Sequence, residues 1–249
     1  MAIEWSKKVN DCLYEVRTAG ATRRLYTNNV FHSQYNPNKV LQGGVWDLLA
    51  LPAFSCPRDT IQRVLVLGVG GGTVIKQLQC YLNPEKIIGI ELNPLHLFVA
   101  KKYFGLKRAS IQLIEDDAIH WLENYKGKKF DLIIDDLFGH HKGEAERVIK
   151  LNKQWAGILL NNLSPEGLLV INFGSGSEFR NNAFLAYKKL SRQFKSILSL
   201  TLKQYDNVIG VFSKCDIIEK TMQFNFETLT GIKKNGLKKK LNYRLKVFK

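Results

Sequence analysis

The sequence predicts an α/β fold in which a Rossmann-like, mostly parallel sheet carries helices on both faces. Continuous runs of β-branched residues and leucine alternate with helix-like stretches over most of the chain, a pattern typical of a parallel sheet covered on both sides. A glycine-rich turn follows the first of these runs, as in many ligand-binding α/β folds. Two apolar runs joined by a short turn around Tyr205 predict a C-terminal antiparallel hairpin.

The N-terminal part of the chain predicts a small β-hairpin domain ahead of the main sheet. Its β-prone runs are CLYEV and RRLYTNNVFHSQY, and the turn-forming Gly20 lies between them. A helix-like stretch, GGVWDLLALPAF, then leads to Pro57. We therefore predict a β-hairpin region with a linking helix over residues 1–55, a Rossmann-like domain over 56–220 and a basic tail over 221–249.

From residue 63 onward, strands and helices alternate along the chain. The predicted strands are RVLVLG, KIIGIEL, SIQLIE and FDLIID, and the helices that separate them are TVIKQLQCYL, LHLFVAKKYF and AIHWLENY. A long helix from about Glu144 to Leu163 is predicted before the strand GLLVINF. The hairpin formed by SILSLTLKQ and NVIGVFSK completes the predicted sheet.

Composition narrows the class of protein. A chain of 249 residues with 45% hydrophobic content can bury a core without staples. The N-terminus lacks the apolar segment of a signal peptide, and no apolar run approaches the ~20 residues that span a bilayer. The cysteines show no metal-ligand or disulfide spacing and are Cys12, Cys56, Cys80 and Cys215. We therefore expect a cytoplasmic protein with no metal and no membrane partner.

The net charge of +15 is concentrated at the C-terminus. No acid follows Glu227, whereas eight basic residues do: Lys233, Lys234, Lys238, Lys239, Lys240, Arg244, Lys246 and Lys249. Such a run is typical of a solvated arm, and an anionic partner such as nucleic acid is the alternative. We expect that a chain without residues 233–249 would keep its fold.

The ends of the predicted strands carry the candidate site residues, because ligands of open α/β sheets bind beyond the carboxyl ends of the strands. The first strand is followed by glycines and the next three end in acids: Gly68, Gly70, Gly72, Glu91, Asp116, Asp117, Asp135 and Asp136. A helix cap or a solvated loop explains any one of these acids. Acids at three successive strand ends instead favour a ligand site.

The glycine turn and Glu91 together predict a nucleoside ligand. The spacing between them suits a carboxylate that accepts hydrogen bonds from both ribose hydroxyls. The dinucleotide fingerprint needs Gly or Ala where Thr73 stands, and Val74 follows the turn where a Walker lysine would be needed. Cofactors that bear phosphate are therefore disfavoured, and S-adenosyl-L-methionine (AdoMet) is favoured.

In these motifs the chain resembles the spermidine synthase (polyamine aminopropyltransferase) family, built on the class I AdoMet-dependent methyltransferase fold. The resemblance runs from roughly Arg24 to Phe212 and rests on VLVLGVGGG, GIELNP, IEDDAIHWL, FDLIIDDLFG and LSPEGLLVINF in this order. It implies that Glu91 holds the ribose, that Asp117 and the Ala118 backbone read the adenine, and that Asp136 is the catalytic aspartate. It also implies that His32 contacts the aliphatic arm of the cofactor. A homodimer is left open.

The departures from that family concern the cofactor arm and the acceptor. Gly71 stands where aminopropyltransferases carry an Asp that grips the amine of decarboxylated AdoMet, so we expect Gly71 to leave room for the carboxylate of AdoMet. Gly44 and Val45 stand near the family's polyamine-binding pair, and DLFGH lacks the second acid of the catalytic loop. Since a buried polyamine needs carboxylate partners, its site is expected to be missing.

Three functions follow as hypotheses. The leading one is an AdoMet-dependent methyltransferase with an unidentified amine or hydroxyl acceptor, whose proton Asp136 takes while Asp135 points to the opposite face. The alternative is a divergent aminopropyltransferase that uses decarboxylated AdoMet and builds an amine site from residues such as His140, His141 and Glu144. The third is a non-catalytic nucleoside-binding protein, because fold does not imply activity.

Overall fold

The computed structural model describes residues 1–39, 41–57, 59–141, 144–231 and 241–249, without the side chains of residues 140–145. Within these residues it confirms the predicted α/β class. An eight-stranded, mostly parallel sheet with helices on both faces follows a four-stranded antiparallel sheet.

The N-terminal sheet is a meander of four antiparallel strands: β1 (Ala2–Val9), β2 (Cys12–Ala19), β3 (Thr22–Thr27) and β4 (Val30–Tyr35). Two of its hairpins turn through residue pairs with positive φ, Asn10 with Asp11 and Asn28 with Asn29. Asparagine and aspartate tolerate this conformation, so the turns follow from the sequence. Sequence reasoning missed β1, because this edge strand is exposed along almost its whole length and shows no buried alternation.

A linking helix joins the two sheets, as predicted. It comprises α1 (Val45–Ala50) and a 3-10 turn, Leu51–Ser55.

The main sheet contains the strands β5 (Arg63–Leu67), β6 (Lys86–Glu91), β7 (Ile111–Glu115), β8 (Phe130–Asp135), β11 (Leu163–Phe173), β12 (Ser196–Leu202), β13 (Val208–Ser213) and β14 (Tyr243–Val247). Their spatial order is β14-β12-β13-β11-β8-β5-β6-β7. Strands β11, β8, β5, β6 and β7 pair in parallel, and β13, β12 and β14 add antiparallel pairs at one side. A separate short hairpin follows β8 and consists of β9 (Phe138–His141) and β10 (Glu144–Arg147).

The helices are α2 (Thr73–Tyr81), α3 (Pro94–Lys102), α4 (Ala118–Asn124), α5 (Lys153–Asn162), α6 (Gly176–Arg180), α7 (Ala183–Ala186), α8 (Lys188–Ser191) and α9 (Glu219–Thr230). One apolar core joins the sheet to α1, α2 and α9, and a second joins its other face to α4, α5 and α7. A small third core packs Val16 and Leu25 of the N-terminal sheet against Val99 and Phe104. This packing holds the N-terminal sheet beside α3.

The predicted helix from Glu144 is wrong in its first part. Glu144 lies in β10, and α5 begins only at Lys153. The Asn152 side chain accepts a hydrogen bond of 2.9 Å from the Trp155 N–H and caps the helix. An N-terminal cap of this kind fixes where a helix starts more firmly than apolar spacing does.

The interpretation of residues 221–249 as a solvated tail is wrong where the structure describes them. Met222 and Phe226 of α9 are buried in the core beneath the sheet, and Leu241 is fully buried there too. Strand β14 pairs with β12 and forms the sheet edge. Residues 232–240, with five of the lysines, lie outside the described residues. The domain boundaries at 55/56 and 220/221 stay predictions.

Within the described ranges, no helix is long and apolar enough to cross a membrane. In the same residues, no three His, Cys, Asp or Glu side chains are grouped as metal ligands. The four cysteines are free.

Candidate active site

The strand order creates a switch point at the carboxyl end of β5. The chain winds from β5 through β6 to β7 on one side and then returns to β8 on the other. Ligands of open α/β sheets bind at such a point. The Asp136 N–H donates a 2.8 Å hydrogen bond to the Leu67 carbonyl. Gly68 has φ +83°, and a Cβ there would overlap the Asp136 carbonyl oxygen, so only glycine allows this approach.

Beyond Gly68, the turn residue Gly70 lines the second cavity described below, whereas Gly71 and Gly72 pack against protein. A Cβ on Gly71 would overlap the Phe104 ring and lie 2.8 Å from the Ser33 Cβ, and the Gly71 N–H donates a 2.7 Å hydrogen bond to the Ser33 hydroxyl. The expectation that Gly71 leaves room for a cofactor carboxylate is therefore wrong, because Phe104 and Ser33 fill that space. Gly72 caps α2 with φ +84° and packs against Leu106. Gly71 and Gly72 shape the turn without lining the two cavities described next.

A first cavity of about 710 Å³ runs from Gly68 across the end of β6 to the start of α4. Apolar side chains of Leu92, Ile119 and Leu137 form much of its wall, and Tyr14 of the N-terminal sheet closes one side. Mostly apolar walls with a few polar groups are typical of small-molecule sites. The predicted residues that line it are His32, Gly68, Glu91, Asp117 and Ala118.

Glu91 is bound to the glycine turn. Its Oε2 accepts hydrogen bonds of 3.0 Å and 2.8 Å from the N–H groups of Val69 and Gly70, and its Oε1 accepts one of 2.9 Å from Asn93. Burial opposes ionisation, but His96 and these N–H groups outweigh it and hold the pKa of Glu91 below its ordinary value. Glu91 therefore brings a fixed negative charge to the wall of the first cavity.

Asp117 is a helix cap as well as a cavity residue. Its Oδ1 accepts hydrogen bonds of 2.9 Å from the N–H groups of both Ile119 and His120 at the start of α4. The capping explanation of this acid thus applies, and the residue still lines the first cavity together with Ala118. The assigned binding roles of these residues stay predictions.

His96 is a site residue that sequence reasoning missed. It is 7% exposed, its Nε2 lies 2.9 Å from the Thr27 hydroxyl, and its Nδ1 lies 3.7 Å from the Glu91 carboxylate. Its ring centre lies 4.8 Å from that of His32 on β4. No strand-end motif marks this position, because the residue reaches the site from within α3.

A second cavity, of about 550 Å³, adjoins the first and shares His32, Gly68, Glu91, His96 and Phe138 with it. It adds three aromatic side chains and two carboxylates, from Phe31, Trp46, Tyr205, Asp136 and Asp206. The β12–β13 turn contributes Tyr205 and Asp206 from far along the chain, so sequence spacing gave no signal for them.

Asp136 lies in the second cavity beside a pair of asparagines. The Asn172 Nδ2 donates a 2.7 Å hydrogen bond to Asp136 Oδ1, and the Asn207 Nδ2 donates a 2.9 Å hydrogen bond to Asn172 Oδ1. Burial raises the pKa of Asp136 to about 6, and the Asn172 hydrogen bond opposes this rise. A carboxylate with such a pKa can take a proton near neutral pH.

Asp135 is held in the protein interior. It is fully buried, accepts hydrogen bonds of 3.1 Å and 2.7 Å from both terminal nitrogens of Arg147, and accepts one of 2.8 Å from the Trp155 indole. Arg147 also donates to the Asn172 carbonyl at 2.9 Å. Asp135 thus fixes the strands beneath the second cavity and has the structural role that the sequence predicted.

The residues considered for a divergent amine site are only partly placed. His140 and His141 belong to β9 and Glu144 to β10, but their side chains lie outside the described part of the structure. Val45 lines the second cavity, and a Cβ on Gly44 would lie 3.5 Å from the Tyr205 hydroxyl.

Known proteins resemble this chain in sequence. The family model of the spermine/spermidine synthase domain matches residues 47–216. The chain is similar to "Polyamine aminopropyltransferase 2" of Caldanaerobacter subterraneus, 27% identical over 43% of this chain and 36% of that protein. It is also similar to the "eEF1A lysine and N-terminal methyltransferase homolog" of Drosophila pseudoobscura, 24% identical over 73% of this chain and 27% of that protein. The matched part thus spans about a third of the length of these curated relatives.

Solved structures show the same fold at low sequence identity. Spermidine synthase from Thermotoga maritima has a TM-score of 0.66 and 17% identity, over 97% of this chain and 87% of that chain. Human methyltransferase-like protein 13 in complex with SAH has a TM-score of 0.57 and 19% identity, over 77% of this chain and 87% of that chain.

Proposed function

Because the chain belongs to the spermine/spermidine synthase domain family, we propose that it is a transferase with an AdoMet-type cofactor, and that it methylates an amine or hydroxyl acceptor. The observation that carries the proposal is the position of Asp136, in a cavity of its own that shares a wall with a nucleoside-sized cavity. Two adjoining cavities suit a transfer between two bound molecules.

The first cavity fits the cofactor. Its volume of about 710 Å³ lies within the about 300–1,000 Å³ that small-molecule sites occupy. Glu91 would hold the ribose, and Asp117 with the Ala118 backbone would read the adenine, against the apolar walls. His32 and Gly68 would border the cofactor arm, since both lie where the cavities meet. When bound, AdoMet supplies a carbon that a sulfonium makes electrophilic.

Asp136 would orient the acceptor and take its proton. The Asn207 amide holds the Asn172 amide so that Asn172 Nδ2 faces Asp136 Oδ1. An acceptor in the second cavity would then approach the carboxylate oxygen of Asp136 that Asn172 does not contact. A positioned general base contributes about 10²–10⁴-fold to rate.

Methyl transfer is favoured over aminopropyl transfer by the chemistry of the glycine turn. Gly71 offers no carboxylate to grip the amine of decarboxylated AdoMet, and packing by Phe104 and Ser33 leaves no space for one. The similarity to a relative named as a methyltransferase homolog supports the same choice.

Aminopropyl transfer is the second candidate, and the second cavity is the observation that favours it. Asp136, Asp206 and Glu91 line this cavity together with the aromatic rings of Trp46 and Tyr205. Carboxylates and aromatic faces both stabilise a cationic amine. The cavity therefore offers acids that the loop sequence DLFGH lacks.

The test compares the two cofactors directly. Calorimetry should show AdoMet or S-adenosylhomocysteine binding at least as tightly as decarboxylated AdoMet. Incubation of each labelled cofactor with amine pools and cell extract should then move label only from AdoMet. A clear preference for decarboxylated AdoMet would establish the aminopropyl alternative, and tight binding without turnover on any pool would favour a nucleoside-binding protein.

Glu91→Ala tests the cofactor cavity. Loss of charge-assisted hydrogen bonds should weaken AdoMet binding by roughly 1–3 kcal/mol. Asp116→Ala is the matched control, because Asp116 follows the neighbouring strand, is paired with His120 and lies outside the cavity wall. Equal affinities for the two variants would show that the ribose lies elsewhere.

A further inference from the structure

A third cavity, of about 160 Å³, lies between helix α2, the end of strand β4 and the loop before β7. It shares no lining residue with the two cavities of the candidate active site. Its volume is well below the about 300–1,000 Å³ of sites for drug-sized molecules, so its occupant is small.

Two cations line this cavity without an anionic neighbour. The side chains of Lys76, which is half-buried on α2, and of Arg108, which is exposed, make no ion pair or hydrogen bond with any described residue. The Lys76 ammonium lies 5.4 Å from the centre of the Tyr35 ring, and no described Asp or Glu side chain lines the cavity. Burial and the nearby charge of Arg108 lower the pKa of Lys76. The two like charges repel each other, and an anion between them would relieve this repulsion.

A buried amide adds a third donor. Gln79, one turn beyond Lys76 on α2, is 4% exposed, and its Nε2 has no hydrogen-bond partner among the described residues. A buried donor without an acceptor is costly and rare in folded proteins. Since Gln79 lines the third cavity, a turn of its amide would let it donate to an acceptor placed there.

Other polar groups of the wall already have partners. The Thr73 hydroxyl exchanges hydrogen bonds of 3.2 Å and 2.8 Å with the Gln34 backbone. The Asn36 Nδ2 donates to the Thr22 hydroxyl at 2.8 Å, and the Asn36 Oδ1 accepts from the Asn38 N–H at 2.9 Å. The lining groups without printed partners therefore include three donors, the Lys76 ammonium, the Arg108 guanidinium and the Gln79 Nε2, and the first two are positively charged.

We propose that the third cavity binds a small oxyanion of the phosphate type, held by the Lys76 ammonium, the Arg108 guanidinium and the Gln79 Nε2. Charge-assisted hydrogen bonds from lysine and arginine are the usual means of holding phosphate oxygens. The site is independent of the cofactor and of the transfer reaction, since it uses none of their residues.

The experiment titrates the full-length protein with sodium phosphate, at an ionic strength held constant with sodium chloride. Calorimetry should show saturable binding, and the unfolding temperature should rise with phosphate. Lys76→Met and Arg108→Met should each weaken phosphate binding by about 10- to 100-fold, the loss of one hydrogen bond between charged groups.

Lys107→Met is the control for net charge. Lys107 is exposed beside Arg108 and lies outside the cavity wall, so its loss should leave phosphate affinity unchanged. A phosphate effect equal to that of chloride, or an equal loss in all three variants, would overturn the proposal, because either result means general screening of a basic protein.

Gln79→Met tests whether phosphate is held in the third cavity or is only attracted by the surface charge of the protein. Removing an unsatisfied donor should raise the unfolding temperature without phosphate and weaken phosphate binding. Unchanged phosphate affinity in this variant would contradict the proposal. A second contradicting result would come from a single-stranded oligonucleotide. If it bound the Lys76→Met variant as tightly as the original chain while inorganic phosphate bound neither, the cavity would not be a phosphate site.

Discussion

At the residue scale, the properties of Asp136 come from its neighbours. Burial raises its pKa to about 6, the charge of Asp135 acts in the same direction, and the Asn172 hydrogen bond opposes both. The position of a carboxylate at the end of a strand does not by itself produce any of these effects. The candidate base is therefore a product of β8, β11 and the β12–β13 turn together.

Asp136→Asn should lower turnover by about 10²–10⁴-fold, because the variant keeps the shape but loses the base. AdoMet affinity, measured by calorimetry, should change much less. Asp135→Asn is the comparison variant, and it should reduce stability by about 3–5 kcal/mol because Arg147 loses its buried partner. Near-normal turnover in Asp136→Asn would show that the catalytic assignment is wrong.

The pH dependence of the rate should follow the ionisation of Asp136. Since the carboxylate is the active form, the rate should rise with pH and level off above about 6, the pKa of Asp136. Asn172→Ala removes a donor that stabilises the carboxylate, so the rise should move to higher pH by about one unit. Asn207→Ala should move it less, because the Asn207 amide reaches Asp136 through Asn172. A pH profile that Asn172→Ala leaves unchanged would exclude Asp136 as the titrating group.

The free energy of unfolding should fall as pH rises, whereas the rate should rise. Burial raises the pKa of Asp136 from 3.8 to about 6, so the folded state binds the proton more tightly and stability falls as pH rises between these values. Asp136→Asn should remove this fall, so at pH 7 the variant should unfold at a higher denaturant concentration. Its free energy of unfolding should be larger by about 1–3 kcal/mol. Asp47 has a pKa raised to about 6 by burial and leaves a similar fall in both proteins. Only the difference between the two denaturation curves therefore measures Asp136.

At the element scale, strand β14 shows why the basic charge of residues 221–249 led to the wrong prediction of a solvated tail. Tyr243, Leu245 and Val247 alternate with Arg244 and Lys246, which is the two-residue period of a strand. The strand covers the edge of β12, and its basic side chains suit an exposed edge. A high content of lysine thus concealed a strand pattern.

Leu241→Ala should lower the free energy of unfolding by about 2–5 kcal/mol, because Leu241 is fully buried in the core. Val247→Ala is the control, because Val247 lies in the strand that follows Leu241 and is 61% exposed. Urea denaturation followed by circular dichroism measures both. A chain that ends before residue 233 should be destabilised as well, and equal stability of the two point variants would restore the tail interpretation.

At the scale of the whole molecule, the first cavity depends on two sheets. The Asn93 Nδ2 donates a 3.0 Å hydrogen bond to the Tyr14 hydroxyl, and Thr27 pairs with His96, so the N-terminal sheet is fixed to the end of β6 and to α3. Neither sheet encloses the cavity alone. Ligand binding should therefore stabilise the molecule as a unit.

S-adenosylhomocysteine at one hundred times its dissociation constant should raise the unfolding temperature by about 5–10 °C. Binding to the folded state alone contributes about 2.7 kcal/mol at that concentration, and a chain of this size gains about 2–4 °C per kcal/mol. Methionine is the control ligand, because it lacks the nucleoside. Equal shifts with both ligands would mean that the first cavity does not hold adenosine.

The sequence alone determined the α/β class, the order along the chain of the strands β5 to β8 and β11 to β13, the glycine turn and the acids at the strand ends. These features depend on local periodicity and on the spacing of motifs along the chain, such as that between the glycine turn and Glu91. A turn at Gly68 belongs to this group, and the structure gives it a positive φ that glycine adopts at no cost.

Only the tertiary structure decided what each side chain meets. Gly71 packs against Phe104 rather than a cofactor, His96 reaches the site from α3, and Asp206 enters the second cavity from a distant turn. The Lys76 and Arg108 pair likewise comes together only when α2 packs beside the loop before β7. These contacts join residues far apart in sequence, and their energies depend on burial and distance, which periodicity does not encode.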